Sequence, residues 1–147
     1  MNESEAQALV GSFVGDFIEG ITRIFYVFDD EVNRDAGGIE LILRNGSIIH
    51  LDSGGDGEAL VISKDPWQDG FELATTLEDL EFVRTHGKWT RFDVSREARF
   101  RDLIGRSIDA VNLVLTPAGK VVGATFWVAS QMLRVEVDAD DLYVQLA

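Results

Sequence analysis

The chain has 147 residues, of which 46% are hydrophobic and 10% aromatic, enough for one domain with its own core. It contains no cysteine, which excludes disulfides, thiolate catalysis and cysteine zinc sites. A formal net charge of −13, from 26 acids and 13 bases, disfavours binding nucleic acid through its phosphates.

The N-terminus carries the first element. Ser4 and Gln7 have the spacing of a capping box. Apolar residues then fall at Ala6, Leu9, Val10, Phe13, Val14 and Phe17. This three-and-four spacing predicts a long amphipathic helix over about 4–19, with Gly20 as its left-handed stop. The acidic start, Met1 to Glu5, is not a secretory signal, so the expected location is cytoplasmic. No run approaches the ~18 apolar residues of a membrane span.

After Gly20 the period becomes two. Ile24, Tyr26 and Phe28 alternate with Phe25 and Val27, as in a strand with both faces covered. Asp29 to Gly38 reads as a polar loop. Alternation resumes from Ile39 to Leu43, and Asn45-Gly46 signals a hairpin that returns through Ile48 to Asp52. These pieces predict a three-stranded meander over 21–52.

The stretch His50-Leu51-Asp52-Ser53-Gly54-Gly55-Asp56-Gly57-Glu58 concentrates acids and glycines. As a calcium loop it fails: Gly54 occupies the third ligand position, and Ser63 stands where a bidentate Glu is needed. As a phosphate loop it also fails, since no Lys-Ser or Lys-Thr follows. It reads first as a glycine-rich turn between strands. The alternative is a divalent metal held by His50, Asp52, Asp56 and Glu58, which would make the chain a metal-dependent hydrolase.

The section 53–99 has no counterpart elsewhere in the chain. A strand around Leu60 and Ile62 leads into the loop Asp65-Pro66-Trp67-Gln68-Asp69-Gly70. Thr75 and Glu78 suggest a capped short helix near 76–85, closed by Gly87, with His86 at its C-terminus. Trp89 to Val94 reads as another strand. Residues 84–106 hold seven bases against three acids, so this segment is locally basic and suited to pairing with the acidic first half. Ser95 precedes a second short helix, near 96–104.

Strands around Ile108–Leu115, Val122–Val128 and Leu133–Val137 form a second meander, 107–137. A last strand contains Leu142, Val144 and Leu146. Ile21, Ile24, Tyr26 and Phe28 match Ile108, Val111, Leu113 and Leu115 at an offset of 87, while Gly38, Leu41 and Leu43 match Gly123, Phe126 and Val128 at 85. The expectation is therefore one α+β domain, 1–147, mainly antiparallel sheet, with an internal pseudo-repeat.

The pattern Leu103-Ile104-Gly105-x-x-Ile108-x-x-Val111, the hairpin Gly38 to Gly46 and the strand Met132-Leu133-Arg134-Val135 give the chain its texture. In that texture it resembles small acidic bacterial domains of uncharacterised type or of the immunity type found in polymorphic-toxin systems. The resemblance implies a non-catalytic protein-binding domain, an inhibitor whose acidic surface meets a basic toxin, with no cofactor. Trp67, Trp89, Arg91 and Trp127 are the residues suited to such an interface, where Trp and Arg are enriched. A self-associating structural domain, a homodimer, is the other non-enzymatic expectation.

Overall fold

A computed structural model describes residues 2–72 and 76–147. It shows one α+β domain, mostly antiparallel sheet, with two α-helices. The elements are α1 (Glu3–Gly11), β1 (Ile18–Phe28), β2 (Glu31–Asn33), β3 (Ile39–Leu43), β4 (Ile48–Ser53), β5 (Leu60–Ser63), α2 (Leu77–His86), β6 (Lys88–Asp93), β7 (Ile108–Leu115), β8 (Val121–Val128), β9 (Gln131–Asp138) and β10 (Asp141–Leu146). Among the described residues, no helix is long and apolar enough to cross a membrane.

The long N-terminal helix is replaced by a short one. α1 covers nine residues and is capped two residues earlier than the sequence suggests. Asn2 Oδ1 accepts the Glu5 N–H at 2.8 Å and Asn2 Nδ2 donates to Glu5 Oε1 at 2.8 Å, so Asn2 is the cap and Glu5 its partner. The helix ends because Gly11 is a poor helix former and Gly15 turns left-handed at φ +93°. Phe13, which continues the helical spacing, is buried in the core from the turn after α1. Gly20 is no helix stop and lies inside β1.

The first sheet is organised around β1. β3 pairs with its first half and β2 with its second, while β6 runs along the opposite edge. β4 and β5 extend the sheet beyond β3. The segment read as a polar loop contains β2, joined to β1 by Asp29 (φ 52°) and Asp30 (φ 62°). The same two-residue left-handed turn recurs at Ala129-Ser130 and at Ala139-Asp140. None of the three carries the glycine usual in such hairpin turns. The second sheet is the meander β7-β8-β9-β10.

The expected helix near 96–104 is a series of turns with one 3₁₀ turn at Arg101–Leu103. Ser95 does not cap it. Its Oγ accepts the Ile21 N–H at 2.9 Å and donates to the Ile21 carbonyl at 3.3 Å, tying the segment to β1. The helix near 76–85 forms as α2. Thr75 lies outside the described residues, and Thr76 Oγ1 accepts the Asp79 N–H at 3.1 Å as the cap.

The sheets share one core. Ile21, Phe25, Leu41, Leu43, Ile49 and Leu51 from the first meet Val111, Ala124, Phe126, Leu133 and Val135 from the second. They are stitched where Phe17 bridges Ser107. There the backbone bonds are reciprocal. Gly15 N–H donates to Ile108 O (2.8 Å) and Gly105 N–H to Ile18 O; Ile18 N–H donates to Arg106 O (2.9 Å) and Ile108 N–H to Asp16 O (2.8 Å). Both glycines are left-handed. Each strand that follows has a register shift after its isoleucine, with Ile18 opposite Leu43 and Ile108 opposite Val128. Ile18 and Ile108 lie 90 residues apart, and their partners Leu43 and Val128 lie 85 apart.

Candidate partner-binding face

The outer face of the first sheet is polar where β1, β3, β4 and β6 meet. Register sets the row: Thr22 lies opposite Glu40 and Asp93, and His50 opposite Glu40 and Ser63. Period-two alternation turns Glu40 and His50 away from the core that Ile39, Leu41, Ile49 and Leu51 enter.

Glu40 is 2% exposed and accepts four hydrogen bonds. Thr22 Oγ1 (2.7 Å) and Arg91 Nε (2.6 Å) donate to Oε1, while Trp67 N–H (2.8 Å) and Arg91 Nη2 (3.1 Å) donate to Oε2. Arg91 Nη2 also donates to the Trp67 carbonyl at 2.6 Å, and its guanidinium lies 5.5 Å from the Trp67 ring centre. Burial raises the Glu40 pKa, but the Arg91, Thr22 and Trp67 donors outweigh it and hold the carboxyl below its usual range. The hydrogen bond to Glu40 raises the Arg91 pKa in turn. Lys88 Nζ meets Asp69 Oδ2 at 2.7 Å. These bonds clamp the 64–72 loop over the sheet and place Trp67 there.

Three of the four aromatic and arginine candidates therefore share one face. Trp89, 42% exposed, packs edge-on against Tyr26 with ring centres 5.3 Å apart. Trp127 stands apart on the outer face of the second sheet, 41% exposed, donating from Nε1 to Asn112 Oδ1 at 2.9 Å.

The metal candidates separate into two pairs. His50 Nε2 is buried without a hydrogen bond and lies 3.4 Å from Asp52 Oδ2. Asp56 and Glu58 face Lys120 instead, with its Nζ 2.7 Å from Glu58 Oε2 and 3.8 Å from Asp56 Oδ2. Asp56 Oδ1 accepts the Glu58 and Ala59 N–H groups at 2.9 and 3.0 Å, which lowers its pKa. Among the described residues, no three acids or histidines are grouped to hold a metal ion. The glycine-rich stretch is a turn, bonded internally by Gly57 N–H to Gly54 O at 3.0 Å.

Between Trp67 and Trp89 the surface opens into a cavity of about 220 Å³. Asp52, Asp140 and Asp141 line it as well. Two backbone bonds fix the β9–β10 turn there: Gly37 N–H to Leu142 O and Asp140 N–H to Gly57 O, each 2.9 Å. Behind Gly37 lies Arg23, 2% exposed, donating to the Gly37 and Gly38 carbonyls at 3.2 Å. Burial, with Arg99 and Arg34 nearby, lowers its pKa to about 10.

Sequence reading missed Glu40, Thr22 and Arg23. The available signal was Glu40 itself, a lone acid in Ile39-Glu40-Leu41-Ile42-Leu43, a strand otherwise fit for burial. The architecture defines a two-sheet antiparallel α+β domain with an acidic, tryptophan-bearing face. No family model matches the chain, and no curated protein or solved structure matches it.

Proposed function

We propose that the chain is a non-catalytic protein-binding domain that receives a basic partner protein on the outer face of its first sheet. The observation that carries this reading is the join of Trp67 and Trp89 to three carboxylates within an overall charge of −13. Complementary fields speed encounter, and exposed Trp anchors an interface once partners touch. The immunity-type form of the reading makes the partner a basic toxin that this chain inhibits. The offset of 90 between the reciprocal isoleucines supports reading the halves 21–52 and 107–137 as copies of one unit, with 53–99 as the addition that supplies Trp67 and Trp89. A second reading, self-association, is favoured by Trp127 and Tyr143, each about 40% exposed on the second sheet.

The test is capture of partners on the tagged chain at low salt, followed by titration of the purified partner at rising ionic strength. The reading expects a basic protein whose Kd weakens at least tenfold between 50 and 500 mM salt, ~1.4 kcal/mol. A partner indifferent to salt, or a chain that only self-associates in light scattering, would contradict it.

A further inference from the structure

We infer that the cavity between Trp67 and Trp89 is a receptor for one arginine side chain projecting from the partner protein. This rests on the partner-binding reading above and names the group that the face selects.

The cavity's volume decides the size of the occupant. At about 220 Å³ it is below the ~300–1,000 Å³ of small-molecule sites, and suits a single long side chain. Its lining decides the charge. Asp52 from β4 and Asp140 and Asp141 from the β9–β10 turn line it, and among the described residues no basic side chain does. Among the described residues, neither Asp140 nor Asp141 makes an ion pair, and Asp52 has only the neighbouring imidazole. Arg23 lies behind Gly37 and offsets part of this charge, but its N–H groups are turned to the Gly37 and Gly38 carbonyls.

The two indoles decide between guanidinium and ammonium. A guanidinium is planar, weakly hydrated and stacks on aromatic faces, while its fork pairs with carboxylates. The molecule already shows this preference. Arg91 sets its guanidinium against the Trp67 ring while forking onto Glu40. An indole and carboxylates also line the open cavity, at Trp89, Asp52 and Asp141. Both tryptophans are held in place without the ligand, Trp67 through its backbone to Glu40 and Arg91 and Trp89 against Tyr26, so little ordering is left for binding.

The probe is the peptide Ac-Gly-Ser-Arg-Ser-Gly-NH₂, titrated into the ¹⁵N-labelled chain while the three indole N–H resonances are followed. Phe variants at each tryptophan assign them. The inference expects saturable shifts at Trp67 and Trp89, none at Trp127, and at least fivefold weaker binding for the citrulline and lysine peptides. Asp140→Asn with Asp141→Asn, which keeps the turn's shape, should weaken the arginine peptide at least fivefold. Equal shifts with citrulline, a preference for lysine, or movement of Trp127 instead would overturn it on the unaltered protein, whatever the variant's fold. If the arginine peptide fails while the salt-sensitive partner complex stands, this inference falls alone. If no such complex exists either, the reading beneath it falls too.

Discussion

Replacing Glu40 with Gln tests whether one buried carboxylate holds the 64–72 loop on the first sheet. Glu40 is 2% exposed and takes four donors, two from Arg91 and one each from Thr22 and Trp67. A Gln amide has one acceptor oxygen, so its NH₂ must face donors and Arg91 loses its counter-charge. Breaking a fully buried pair from one side costs about 3–5 kcal/mol. The Arg91 side chain is 41% exposed and regains some water, which reduces the expected loss to about 2–3 kcal/mol. For a chain near 150 residues that is a Tm drop of roughly 5–10 °C. Urea unfolding followed by far-UV circular dichroism measures it, with an unchanged slope showing that the transition is still two-state. A cycle with Arg91→Met should give a coupling of at least ~1 kcal/mol. A Glu40→Gln loss under about 0.5 kcal/mol would refute the claim that this cluster anchors the face.

Acid should weaken the fold through the same group. The Glu40 pKa is lowered below its ordinary 4.5, so its contribution is present above that value and is lost as pH falls through the lower, folded value. Asp69 and Asp93, also lowered from 3.8, act in the same sense. Unfolding free energy should therefore fall below about pH 4.5, less steeply in Glu40→Gln, and equal slopes in the two proteins would contradict this. Ser130→Gly should stabilise the β8–β9 turn by about 0.5–1 kcal/mol in urea, because Ser130 holds φ 68° in a turn that favours glycine. A loss of stability there would count against turn strain. Gly37→Ala should cost at least about 2 kcal/mol, since its Cβ would stand 1.8 Å from the Ile24 carbonyl at a φ of +145°. An alanine variant as stable as the parent would mean that the backbone gives way easily at Gly37.

What the sequence made legible followed periodicity. The strands at Ile39–Leu43, Ile48–Ser53 and Lys88–Asp93 announce themselves by alternation, and so does the chain's division into sheets rather than helices. The helix length misled because Phe13 keeps the helical spacing after α1 has ended; its burial is decided by the core, not by the helix. The breaks in alternation around Ser130 and at Asp138–Asp141 mark two of the left-handed turns, whereas Asp29-Asp30 was hidden inside an acidic stretch that reads as loop. At the candidate face, composition picked out Trp67, Trp89 and Arg91. Their convergence depends on register between β1 and β6 and on a loop clamp to Glu40, 27 residues from Trp67, and no local pattern encodes either. The acids of the glycine-rich turn at 52–58 were visible, but not that Lys120 would claim Asp56 and Glu58 while Asp52 lined a cavity with Asp140 and Asp141.

The most direct measurement is calorimetric titration of the purified partner against two single variants, Trp89→Ala on the first sheet and Trp127→Ala on the second. Both indoles are about 40% exposed, so each change leaves the core intact. The account predicts that Trp89→Ala weakens the complex at least tenfold, ~1.4 kcal/mol, while Trp127→Ala stays within twofold. The opposite ranking, or a complex that tolerates both changes, would contradict it.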